Sequence, residues 1–522
     1  MALSGVSFMS STLLFFLALL FLFHPSVGKT TFSFELHHKF SDQVRDWVRS
    51  TSGVSVDNWP QPGSPEYYNT LFHHDRVLRG RNLAASSTPL VTFVDGNLTL
   101  HLQLGFLHYA MVEIGTPAVK FLVALDTGSD LFWVPCQCIQ CANSTSPLVQ
   151  GVESGVYSPN ISTTGKYLPC SSDLCDSRTL CSGTNSQCPY KVDYVSANTS
   201  SSGVLVEDVL HLITEDSQPK AINPSVVFGC GQIQTGAFLR GPALNGLFGL
   251  GLGNQSVPSI LANSGLIANS FSMCFGSDGF GRINFGDKGS SDQEETSFVV
   301  AQSHPTYQIN VTDIQVGANV ISIRPGLLPI FDTGTSFTYL ADPLYTDIGD
   351  SFDKQVKEPR STLNSTAPFE YCYDISSNQN SILIPKINIT MSSGANFNVL
   401  NPIVVLTSQV QNIYCLAIVK SDGLNIIGQN FMTGHRIVFN REKGVLGWKE
   451  FNCYNTDGAA TPSVKSPAMS PTSAVSPSAV NPEDTTTVGN RTQIHATSSG
   501  HAAHPAFVYV FFTILSVLAS FF

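Results

Sequence analysis

The chain has 522 residues, enough for three or four domains of ordinary size and a large apolar core. Charged residues make up 12%, about half the ~25% of an ordinary globular protein, and 34 Phe with 15 Tyr exclude a wholly disordered chain. A net charge of −11 argues against a nucleic-acid partner, and 41 Gly among frequent Ser, Thr, Val and Ile favours an all-β fold over a helical one.

In chain order, the first element is a targeting segment. Leu13–Phe23 is an unbroken apolar run, too short to span a bilayer, and Ser26-Val27-Gly28 supplies the small residues of a cleavage site. The pattern predicts a secretory signal peptide over 1–28, although its start lacks the usual Lys or Arg. Next, Lys29–Gln103 holds seven basic and seven acidic residues, with Arg76, Arg79 and Arg81 as a local basic stretch. His37-His38 and His73-His74 look like ligand pairs, but this far upstream they read as solvated or pH-sensing groups.

The middle of the chain carries one motif twice. Phe121-Leu122-Val123-Ala124-Leu125 runs into Asp126-Thr127-Gly128-Ser129, and Leu327-Leu328-Pro329-Ile330-Phe331 runs into Asp332-Thr333-Gly334-Thr335. Each copy is followed by two apolar residues and a glycine, Leu247-Phe248-Gly249 in the first and Ile426-Ile427-Gly428 in the second. One acidic turn alone is a favoured loop feature. Two in matched contexts point to chemistry. Water attacking a peptide carbonyl must lose a proton while the departing nitrogen gains one. Two carboxyls at a common centre exchange those roles when they share one proton. Gly128 and Gly334 let the backbone turn tightly towards the carboxylate, Thr127 and Thr333 can tie the two loops, and Ser129 and Thr335 can bond the outer carboxylate oxygens.

These residues resemble the pepsin-type aspartic endopeptidases, and more narrowly the plant nepenthesin-like group, over Leu107–Tyr454. The resemblance rests on Tyr109 before Ile114-Gly115-Thr116-Pro117, both Asp-Thr-Gly turns, Trp133, and Phe228-Gly229-Cys230-Gly231. Asn425-Ile426-Ile427-Gly428-Gln429-Asn430-Phe431 and Gly447-Trp448 close it. It implies an all-β, bilobal, pepsin-like double-lobed barrel with the active site in the cleft. The N-terminal lobe would cover 105–275 and the C-terminal lobe 276–455, with Asp126 and Asp332 as the catalytic pair and Trp133 beside the first. Residues 29–104 become a propeptide, whose cations would occupy an acidic cleft until low pH releases them. The family's flap tyrosine matches Tyr194, with Gly203 and Asp208 on the return strand. Val195-Ser196-Ala197-Asn198 replaces the usual Gly-Asp-Gly-Ser there, which implies an altered flap tip. No cofactor and no metal are implied.

Eight cysteines lie in the first half (Cys136, Cys138, Cys141, Cys170, Cys175, Cys181, Cys188, Cys230) and four in the second (Cys274, Cys372, Cys415, Cys453). Both counts are even, as bridges within each half require, and the paired knuckles of a zinc site are missing, so six disulfides are expected. First-half pairing stays open, because spacing does not fix connectivity. In the second half Cys372–Cys415 resembles the family's shared bridge, which leaves Cys274–Cys453.

Downstream, 456–500 is rich in Pro, Ser, Thr and Ala and reads as an extended stalk. Ala506–Phe522 is uncharged, no basic residue follows it, and small residues precede it. That is the pattern of a glycosylphosphatidylinositol attachment signal over 501–522, with Ser498 or Ser499 as attachment point and a shorter spacer than usual. N-glycosylation sequons stand at Asn97, Asn143, Asn160, Asn198, Asn254, Asn310, Asn364, Asn388 and Asn490. The expectation is a monomeric, lipid-tethered ectodomain outside the plasma membrane, acting on proteins or peptides. A pepsin-fold binding or inhibitor protein without activity is the competing class.

Overall fold

The computed structural model describes residues 31–52, 59–79, 107–142, 156–299, 306–454 and 478–480, apart from the internal stretches 177, 195–198, 214–219, 241–242, 244, 363–367, 377–378, 380 and 408–411. The expected signal peptide and attachment signal, with Ser498 and Ser499, lie outside these residues, as do Asn97, Asn143, Asn198, Asn364 and Asn490.

Strands form where the sequence sets β-branched and aromatic residues in alternation or in short apolar runs. Strand β1 spans Phe32–His38, β2 His108–Ile114, β3 Val119–Asp126 and β4 Trp133–Gln140. In β3, Phe121–Leu125 is buried without a break, as a strand covered on both faces requires. These strands belong to one long sheet. Its order runs Glu294–Ser297, Val445–Glu450, His435–Asn440, Ser270–Phe275, Phe280–Phe285, β1, β2, β3, Leu247–Gly249, β4, Ser225–Gln234, Ser200–Val209 and Lys166–Tyr167. The expected lobe boundary at 275/276 falls in the turn between two of its antiparallel strands. Strand β1 is inserted in the middle, paired over Phe32–His37 with Phe280–Phe285 and through His37 and His38 with β2.

The second half adds smaller sheets, Asn319–Leu327, Val311–Val316, Ile387–Met391 and Asn396–Val399 in one, and Ile330–Phe331, Ile426–Ile427, Thr338–Ala341 and Ile418–Ser421 in another. Helices are few, at Asp42–Ser52, Pro65–Arg79, Val257–Asn263, Leu344–Asp353 and Gln429–Met432. The architecture is mostly β with open sheets, and no closed barrel forms among the described residues. None of the described helices is long and apolar enough to cross a membrane. Of the expected stalk, Ser478–Val480 is described, as a strand beside Ser381–Leu383.

The twelve cysteines form six bridges. Cys136–Cys230, Cys138–Cys141, Cys170–Cys181 and Cys175–Cys188 lie in the first half, and Cys274–Cys453 and Cys372–Cys415 in the second. Cys170, Cys175 and Cys181 bring their sulfurs close together, but each is already half of a bridge.

Candidate active site

The two acidic turns are built alike. Strand β3 delivers Asp126 at its end and pairs in parallel with Leu247–Gly249, Gly249 standing opposite Asp126. Leu247 also pairs antiparallel with Trp133, so the short strand is wedged between β3 and β4. The second half repeats this arrangement. Ile330–Phe331 pairs in parallel with Ile426–Ile427, which pairs antiparallel with Thr338–Ala341. The apolar-apolar-Gly signal is therefore the strand that backs each acidic loop. Its glycine is sterically required. A Cβ on Gly249 would stand 2.2 Å from the Asp130 carbonyl oxygen, and one on Gly428 would stand 2.0 Å from that of Phe337.

Within each loop the carboxylate is held by its own turn. The Gly128 N–H donates to Asp126 Oδ1 at 2.8 Å and the Ser129 hydroxyl to Oδ2 at 2.7 Å. The Gly334 N–H donates to Asp332 Oδ1 at 2.8 Å and the Thr335 hydroxyl to Oδ2 at 2.9 Å. Thr127 and Thr333, both buried, bring their hydroxyls to 3.3 Å across 206 positions of sequence. That contact joins the two loops. Both aspartates keep part of their surface open to solvent. Behind them the Leu250 N–H donates to the Asp126 carbonyl, and the Asp332 N–H to the Ile427 carbonyl.

Tyr194 stands at the end of a hairpin formed by Pro189–Asp193 and Ser200–Val209, which carries Gly203 and Asp208 on its return strand. The altered tip 195–198 lies outside the described residues. Buried Trp133 donates its indole N–H to the Tyr194 hydroxyl at 2.8 Å, and Phe238 packs edge-on against the Tyr194 ring. Burial, and then the negative charge of Asp126, push the Tyr194 phenol well above its ordinary range, so it stays neutral.

The N-terminal segment reaches this region in a way the sequence does not reveal. Asp75, on the helix Pro65–Arg79, is fully buried. It accepts hydrogen bonds from the Ser336 and Phe337 N–H groups at 2.8 and 3.2 Å and from the Tyr339 hydroxyl at 2.8 Å. Those donors directly follow the second acidic loop. Lys39, 1% exposed, has its ammonium pushed down to about 7 by burial, which the charge of Asp75 opposes. Phe40, Val44, Trp59 and Leu71 of the segment share one apolar cluster with Phe337, Tyr339, Phe369 and Leu406. The expectation of solvated histidines does not hold for His38. It is buried, with its ring 5.4 Å from that of His108 and 5.9 Å from that of Tyr67, because β1 lies inside the sheet. The side chains of His73, His74, Arg76 and Arg79, and all of Arg81, lie outside the described residues. Of the described sequons, Asn160 and Asn254 are exposed, whereas Asn310 and Asn388 are half-buried.

Both acidic loops, their threonines, Trp133 and Tyr194 are thus brought together in one region. Asp75 and Lys39 are additions. Neither has a sequence signal, since each acts on a partner hundreds of positions away or buried by folding.

Comparison with known proteins follows the same lines. The family described as xylanase inhibitor N-terminal matches residues 108–287, and that described as xylanase inhibitor C-terminal matches residues 306–450. "Aspartyl protease family protein 1" of Arabidopsis thaliana is 48% identical over 98% of this chain and 99% of its own length. "Aspartic proteinase-like protein 1" of the same plant is 38% identical over 95% of this chain and 92% of its own. "Aspartic proteinase nepenthesin-2" of Nepenthes gracilis is 28% identical over 66% of this chain and 77% of its own. Among solved structures, conglutin gamma from lupine seeds is similar with a TM-score of 0.52 at 19% identity, over 67% of this chain and 92% of that one, a likeness of fold alone.

Proposed function

The chain belongs to the plant aspartyl protease family, and from that premise we propose that it is an active endopeptidase whose catalytic pair is Asp126 and Asp332. The observation that carries this reading is the contact between Thr127 and Thr333. It holds two acidic loops of the same construction against each other. One carboxyl removes the proton of a water attacking the peptide carbonyl while the other donates to the oxygen, and the roles reverse as the nitrogen leaves. Neither covalent intermediate nor cofactor is needed. Tyr194, kept neutral and held by Trp133, covers the bond and excludes bulk water. Within the family its cysteine-rich first half supports membership of the nepenthesin-like group.

The segment 29–104 acts as a propeptide that keeps the enzyme latent, a role supported by the grip of Asp75 on the backbone after the second acidic loop. The signal peptide, sequons and lipid-attachment pattern support a monomeric glycoprotein displayed outside the plasma membrane, with protein or peptide substrates. The competing reading is an inactive inhibitor or binding protein of the same fold. The xylanase inhibitor family descriptions favour it, and the two intact acidic loops weigh against it.

Acid-treated, purified ectodomain should cleave a peptide library at pH ~4–5, and pepstatin should block it. Asp126→Asn and Asp332→Asn should each lower kcat by about 10³-fold or more while leaving secretion and melting temperature near wild type. Near-normal turnover by either variant overturns the assignment.

A further inference from the structure

The hydroxyl pair Thr127–Thr333 ties the acidic loops at the front. A second tie runs behind them through one side chain, Tyr307. Its main-chain oxygen accepts the N–H of Phe331, the residue before Asp332, at 3.0 Å. Its hydroxyl donates to the Leu250 carbonyl at 2.7 Å, and the N–H of that same Leu250 donates to the Asp126 carbonyl at 2.9 Å. One rigid phenol thus spans from the strand carrying the second aspartate to the strand backing the first. The ring itself has little freedom. It is 1% exposed and meets Phe439 at 4.7 Å, Phe298 at 5.3 Å and Phe271 at 6.1 Å. The loop at the far end is also fixed, because the Gly253 N–H donates to Asp130 Oδ1 and Arg441 donates to the Leu252 carbonyl and to Ser259. A strut between two fixed ends sets a distance.

We propose that Tyr307 is a positioning residue that sets the separation of Asp126 and Asp332 through its hydroxyl. This rests on the catalytic reading above. Two carboxyls share a proton only while they are held close, and the interval between the acid and alkaline limbs of the rate profile grows as they approach. Removing the strut lets the loops move apart, which draws the limbs together and lowers turnover without touching the groups that bind substrate.

The test is Tyr307→Phe in the activated ectodomain, with Tyr373→Phe as a control that loses a hydroxyl bonded to Asp353, on the helix Leu344–Asp353. Tyr307→Phe should lower kcat about tenfold with KM nearly unchanged, and should narrow the kcat–pH profile, while the control leaves both as in wild type. An unchanged kcat and profile, or a lowered melting temperature alone, overturns the proposal. Amide exchange at Leu250 and Phe331 is read in parallel and needs no substrate. Faster exchange at both in Tyr307→Phe supports the strut, and unchanged exchange overturns it. A wild-type protein without pepstatin-sensitive activity would fail the protease reading instead, and amide exchange would still decide the strut.

Discussion

At the scale of single residues, the backing glycines carry the sharpest steric demand. Alanine at Gly249 or Gly428 places a carbon inside the contact distance of a main-chain carbonyl, which no rotamer change relieves. Gly249→Ala or Gly428→Ala should cost about 3 kcal/mol or more in urea unfolding. The remaining folded protein should lose turnover, because the strand that must retreat is the one hydrogen-bonded to the strand leading into each acidic loop. Loss of less than about 1 kcal/mol would mean that the backing strand yields easily. These glycines, like Asp126 and Asp332, are legible in the sequence because each sits in a contiguous motif whose geometry is local. Tyr307 and Asp75 are not, because an ordinary tyrosine and an ordinary helical aspartate acquire their partners only when strands far apart in the chain are stacked.

At the scale of elements, β1 decides how the N-terminal segment responds to acid. His38 lies opposite His108 across the β1–β2 pairing, and burial together with the charge of His37 pushes His108 down to about 3 from an ordinary 6.5. His37 and His38 are the titratable groups of β1 that face this seam, and Lys39 follows directly after it. If β1 leaves, His108 is uncovered and regains its ordinary affinity for a proton. Between about 6.5 and about 3 the released state therefore binds a proton that the docked state does not, and docking weakens by up to ~1.4 kcal/mol for each unit of falling pH. Lys39 has the same sign in another window. Its ammonium is at about 7 when docked and 10.5 when free, so its effect is complete before acid conditions begin. His108→Phe should shift acid release of the segment to lower pH, as followed by native chromatography of the precursor from pH 7 to pH 3. An unchanged release curve would remove His108 from the process. The strand β1 was hidden from sequence reading by its position, since residues upstream of a mature enzyme are expected outside its core.

At the scale of the whole molecule, the duplicated halves and the even cysteine counts were legible because each repeats a pattern; five bridges stay within one expected lobe, and Cys274–Cys453 crosses the expected boundary at 275/276. Connectivity in the first half was not, since eight cysteines can pair in many ways and only the approach of β4 to Ser225–Gln234 selects Cys136–Cys230. The tail belongs to this scale too. Phosphatidylinositol-specific phospholipase should release the native protein from membranes while high salt does not, and a variant ending at Ser499 should appear in the medium. Retention after lipase treatment would count against the lipid tether. The position of β1 bears on the proposed maturation. If the segment 29–104 is removed, the piece that leaves is a plank from the middle of the floor rather than a cap on one end. At neutral pH a nick anywhere between residues 80 and 106 would leave both fragments interlocked, comigrating as one particle until acid or denaturant parts them. The gap left behind must then be filled by other chain, or the floor splits along that seam.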